Sequence, residues 1–150
     1  MLAEVKIKLT TNFLGGGQRK NGIRTIKRTS ENQVAINEQE WLSDFSEVAA
    51  SLGIVFDPKS VKLECGFDAT TRTLRRTYNK VNVEMFEGIP AGTRLSLFIY
   101  IDQRHDNCLD IKQLHQIMIV IGKFFGISQF GKKFHCGRFK VHDIVDVRKE

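Results

Sequence analysis

From Gly126 to Val141 the chain reads Gly-Ile-Ser-Gln-Phe-Gly-Lys-Lys-Phe-His-Cys-Gly-Arg-Phe-Lys-Val, the segment richest in residue types that meet anions. Glycines at 126, 131 and 137 let a backbone approach a phosphate closely, and Lys132, Lys133 and Arg138 bring charge to the same place. The Gly-x-x-x-x-Gly-Lys-Lys spacing resembles a nucleotide-binding phosphate loop, but Lys133 stands where a magnesium-holding Ser or Thr is required. The surrounding pattern also puts a helix before the loop and a strand after it, the reverse of that motif. His135 has the right chemistry for a general acid or base, yet no Ser, Cys or second His at a fixed offset completes a catalytic set. His105, Cys108, His115 and Cys136 match no zinc-ligand spacing, so neither a metal nor another cofactor is expected. Phe130 and Phe134 flank the lysines and, like Phe98 and Tyr100, are candidates to stack on unpaired bases. Phe139 reads as a core residue.

Charge supports the same direction. The net charge is +6, from 23 Lys and Arg against 17 Asp and Glu. Three acid-free stretches carry 13 of those cations. The first holds Arg19, Lys20, Arg24, Lys27 and Arg28; the second holds Arg72, Arg75, Arg76 and Lys80; the third holds Lys132, Lys133, Arg138 and Lys140. Cations segregated in this way suit a phosphate backbone, because each neutralised phosphate releases counterions. Arg19, Lys20, Arg24, Arg72, Arg75 and Arg76 therefore join Gly126, Phe130–His135, Gly137 and Arg138 as the expected contacts to a polyanion, with RNA the leading candidate. The competing explanation is a set of solvated basic loops.

The elements that must position these residues follow from periodicity. Ala3, Val5, Ile7 and Leu9 alternate with charged residues as in a half-buried strand. Gly15-Gly16-Gly17 opens a basic segment to Asn32 that reads as a long flexible loop, with a short strand near Ile23–Ile26 as an option. Asn37 and Glu40 form a capping box for a helix over 38–52, whose apolar stripe is Trp41, Leu42, Phe45, Val48, Ala49 and Leu52, closed by Gly53. Val61, Leu63, Cys65 and Phe67 predict one strand. Thr71–Met85 predicts a hairpin broken near Asn79, Glu87–Gly92 a turn, and Thr93–Ile101 a central strand apolar on both faces. Asp110 and Gln113 open a second helix with Ile111, Leu114, Ile117, Met118, Ile121 and Phe125 buried; Gly122 permits close approach to the sheet and Gly126 ends it. A last strand covers about Gly137–Val147. The order is α+β, a ferredoxin-like β-α-β-β-α-β with an extra β-hairpin and a C-terminal Gly-rich loop, in a single domain over residues 1–150. One sheet face is left free for a ligand.

The helix, Gly-rich loop and Gly137-Arg138-Phe139-Lys140-Val141 strand together resemble the C-terminal signature of the RAMP superfamily, whose members include RNA-binding subunits of CRISPR effector complexes and crRNA-processing proteins. Phe86-Glu87-Gly88-Ile89-Pro90-Ala91-Gly92-Thr93 is similar to a stretch of the backbone-type RAMP proteins. The two matches cover roughly residues 84–142, less than half the chain. The resemblance implies RNA held along the Gly-rich loop and sheet edge, with other subunits of a ribonucleoprotein complex as partners. Backbone-type relatives that cut target RNA use an aspartate in an N-terminal loop; here Thr11–Asn32 offers only Glu31, so binding without cleavage is expected. Two alternatives stand beside this reading. One is a phage or mobile-element protein that inhibits a host defence complex or its nucleotide signal; the other is a metal-independent endoribonuclease. With three scattered cysteines, no transmembrane-length apolar run and a strand at the N-terminus, a cytoplasmic location without membrane contact is expected.

Overall fold

The computed structural model describes residues 1–77 and 83–148. In chain order the elements are β1 (Leu2–Leu9), β2 (Phe13–Leu14), β3 (Arg19–Lys20), β4 (Ile23–Arg24), β5 (Val34–Ala35) and α1 (Glu38–Ser51). They continue with β6 (Val61–Leu63), β7 (Gly66–Phe67), β8 (Arg72–Thr77), β9 (Val83–Ile89), β10 (Arg94–Ile101), α2 (Ile111–Phe124) and β11 (Phe139–Asp146). Alternation in β1 buries Ala3, Val5, Ile7 and Leu9, and alternation in β10 buries Leu95, Leu97, Ile99 and Ile101 on the same face. The two strands pair antiparallel from Leu2↔Tyr100 to Lys8↔Arg94. β11 joins the other edge of β1, with an irregular step between Lys6 and Ile7, and β6 joins β10. The resulting order, β11-β1-β10-β6, with α1 leading into β6 and α2 into β11, is the ferredoxin-like arrangement.

The helices bury their stripes against one face of this sheet. Asn37 Oδ1 accepts from the Glu40 amide at 3.0 Å, but the Glu40 carboxylate does not return to the cap, so the expected box is only half made. Leu52, expected on the buried stripe, is the C-cap and 42% exposed. At α2 both halves of the Asp110–Gln113 box are present, and Leu114, Ile117, Met118 and Ile121 are fully buried. Gly122 sits so close to β11 that a Cβ there would strike the Phe139 carbonyl and ring.

Three expectations are corrected. The stretch from Gly15 to Asn32 is not a free loop. β3 and β4 form a hairpin around Asn21-Gly22, and β4 runs parallel to β9 through Ile23↔Met85 and Arg24↔Phe86. The strand expected over Val61–Phe67 is two strands: β7 leaves the central sheet so that Phe67 can pair with Val34 of β5, both buried. The turn expected at Glu87–Gly92 is shorter, because β9 continues to Ile89 while Pro90–Gly92 reverse the chain. β8 and β9 form the expected hairpin, from Arg72↔Gly88 to Thr77↔Val83; the break expected near Asn79 lies outside the described residues. With β2 beside β9, these strands make a second, outer sheet.

Candidate nucleic-acid interface

The register of the outer sheet decides which cations share a surface. Residues paired across strands lie on one face, so Arg19, Arg24, Leu74, Arg76, Glu84 and Phe86 share one side. Lys20, Ile23, Arg75 and Met85 take the other. The first side meets the Gly-rich loop. Phe130 packs its ring on Phe86 at 5.0 Å between centroids, and Arg24 lies over Phe130 at 5.1 Å. Arg76 lies over Phe134 at 4.2 Å, and Phe134 remains 58% exposed. Both are cation–π contacts. Lys133 and His135, the chain neighbours of Phe134, are exposed. Glu84 accepts from Arg19 at 2.5 Å and Arg24 at 3.1 Å and offsets part of the charge.

Thus Arg19, Arg24 and Arg76 come together with Phe130 and Phe134, although they come from three distant segments, while Lys133 and His135 are exposed on either side of Phe134 in the chain. Lys20 and Arg75 face away. Arg72 is exposed further along β8, on the side of Arg76. Arg138 is elsewhere: its Nη2 donates to the Phe124 carbonyl at 3.2 Å, and it lines a groove between α2 and β11. Phe139 is core, as expected.

Lys132 is not the exposed residue that the sequence led us to expect. Its Nζ meets Asp44 Oδ2 at 2.6 Å and Glu40 Oε1 at 2.8 Å, which fastens the loop to α1. Burial alone would lower its pKa, but the two carboxylates outweigh that and hold it above the ordinary lysine value. Lys132→Ala should therefore cost about 1–2 kcal/mol, measured by denaturant unfolding, since it leaves Asp44 and Glu40 without their shared counter-charge. Lys133→Ala should change stability by less than about 0.5 kcal/mol. Equal effects would contradict the different environments.

The glycines also have internal reasons. Gly126, Gly131 and Gly137 all have left-handed φ, at 76°, 80° and 71°. The amides of Gly126 and Gly137 donate to Ile121 and Asn12 carbonyls, so neither is open to a phosphate. Two residues that sequence reasoning missed hold the loop. Ser128 Oγ accepts from the Leu14 amide at 2.8 Å. Gln129 Oε1 accepts from the amides of Gly16 and Lys27, while its Nε2 donates to the carbonyls of Lys27 and Ala35. Glu87 fastens the same region from β9, taking the Ile26 amide, Thr71 hydroxyl and Arg28 guanidinium at 2.8 Å each. Burial would raise its pKa, and these three donors outweigh that and hold it below the usual carboxylate value.

The His135 imidazole makes no hydrogen bond among the described residues, and its carbonyl accepts from Thr11 Oγ1. Burial pushes the Cys136 thiol up despite nearby Arg76, which disfavours a thiolate nucleophile. Among the described residues no three His, Cys, Asp or Glu side chains are grouped to hold a metal, and no helix is long and apolar enough to cross a membrane.

No family model matches the sequence, and no curated protein does. The fold, however, has a solved counterpart. A chain of a structure described as "Type IV-B CRISPR Complex" superposes with a TM-score of 0.57 at 10% identity, covering 100% of this chain and 92% of that one. The likeness is one of fold.

Proposed function

We propose that this chain is a non-catalytic RNA-binding subunit of a ribonucleoprotein complex of the CRISPR-associated kind, gripping RNA phosphates across the face where the outer sheet meets the Gly-rich loop. The observation that carries this reading is the convergence of Arg19, Arg24 and Arg76 around two aromatic rings, one of them largely exposed and next in the chain to exposed Lys133. Phosphates would meet the guanidinium edges, and a base could stack on Phe134. The fold likeness to a subunit of a CRISPR complex supports membership in an assembly with RNA.

The test is affinity for a fluorescein-labelled single-stranded RNA, read by anisotropy. Arg24→Ala combined with Arg76→Ala should weaken binding about tenfold and flatten its salt dependence. Lys59→Ala combined with Lys112→Ala removes the same charge from exposed positions outside this face and should change affinity less than about twofold. Equal losses would mean that only net charge matters, and the interface would be wrongly placed.

A further inference from the structure

The face of the central sheet opposite the helices carries a second feature with different chemistry. Even-numbered residues of β1 and β10 point there, so Phe98 and Tyr100 stand two apart on the middle of the sheet, each half-exposed. Arg148 lies over Tyr100 at 5.1 Å, whereas Phe98 forms part of a cavity of about 390 Å³. The β7 segment walls it on one side. Its polar lining includes Lys6, Arg94, Glu64, Asp68 and Gln33.

Two cations and two carboxylates cancel, so this cavity does not favour a phosphate. None of the four takes part in a salt bridge among the described residues, in contrast to Arg19, Arg24, Arg28 and Lys132. A neutral pocket with an aromatic wall, unengaged donors and unengaged acceptors fits a flat heterocycle with both kinds of edge. The volume is within the range of about 300–1,000 Å³ usual for small-ligand pockets. Guanine matches the groups best. Its N1–H and N2 amine form a donor pair suited to a carboxylate, and its O6 and N7 form an acceptor pair suited to Arg or Lys. Adenine and uracil lack that combination. Phe98 supplies a ring for stacking.

We propose that this pocket takes an unpaired guanine base, stacked on Phe98 and held at its edges by Glu64 or Asp68 and by Arg94 or Lys6. The base can come from RNA or from a free guanine nucleotide; only the first source rests on the RNA-binding reading. The pocket would add base selectivity to a phosphate grip that has none.

The experiment uses two sets of probes on the full chain. Calorimetry compares 5′-GMP with 5′-AMP and 5′-UMP. Anisotropy compares an oligouridylate bearing one central guanosine with an all-uridine strand of equal length. Guanine should be preferred about tenfold, and the preference should vanish in Phe98→Leu and in the exposed double variant Glu64→Ala with Asp68→Ala. Because the two carboxylates are exposed, the second variant reports on the pocket even if Phe98→Leu unfolds. Preference in the oligonucleotide identifies RNA as the source, and preference in the mononucleotide alone identifies a free nucleotide; either supports the pocket. Tight, salt-dependent RNA binding that is blind to guanine and to both variants overturns the pocket and leaves the RNA reading intact. Selective GMP binding without RNA affinity does the reverse.

Discussion

Gln129→Ala is expected to lower the unfolding free energy by about 3 kcal/mol. The Gln129 amide replaces a missing strand partner for two segments at once. It receives the Gly16 and Lys27 amides at 3.1 and 2.8 Å and donates to the Lys27 and Ala35 carbonyls at 2.8 Å each. Truncation leaves four backbone groups without that partner; water will reach some of them, which keeps the expected cost below four full desolvation penalties. Gln129→Glu should be nearly as damaging, because a carboxylate cannot donate to the two carbonyls and is repelled by them. Amide exchange should accelerate at Gly16 and Lys27 before it does in β1 or β10. A change under about 0.5 kcal/mol would mean that the glycine-rich segment is held by other contacts.

Gly137→Ala should cost about 3 kcal/mol or more. Two effects add there. The backbone is left-handed at φ 71°, and a Cβ would collide with the backbone and side chain of Ser128. Gly22→Ala separates the two, since Gly22 is also left-handed at φ 77° but has nothing within 4 Å of an added Cβ. It should lose only about 1 kcal/mol, from conformational strain. Melting temperatures should therefore fall by roughly 8 °C in the first variant and roughly 3 °C in the second. Comparable losses would show that backbone strain alone sets the glycine requirement. A larger loss at Gly137 supports close packing of the loop as its reason for being glycine.

What the sequence made legible is the part built by local periodicity. β1, β10, α1 and α2 bury most of the residues that their repeat of two or 3.6 selects, Leu52 at the end of α1 excepted, and the caps at Asn37 and Asp110 mark both helix starts. The outer sheet was hidden for a physical reason. β2, β3, β4 and β5 are two residues long; β2, β4 and β5 each pair with a strand dozens of positions away, and β3 is added only as the hairpin partner of β4. No periodicity can develop in two residues. Cys65 and Phe67 continue the alternation of Val61 and Leu63, so the split between β6 and β7 is visible only once Val34 is beside Phe67. The candidate site was legible in its cation-rich stretches, not in their partition. Lys132 and Lys133 look alike in sequence, and only folding brings Glu40 and Asp44 to one of them. Gln129 carries no local signal at all.

Salt is the sharpest probe of the proposed grip of Arg19, Arg24, Arg76 and the neighbouring loop cation Lys133 on an RNA backbone. Binding of single-stranded RNA to the unmodified chain should be measured across a potassium chloride series. Four phosphate contacts predict a fall in log affinity against log salt with a slope of about −3. A slope near zero, or no binding at low salt, would contradict the account and favour a protein partner for this face.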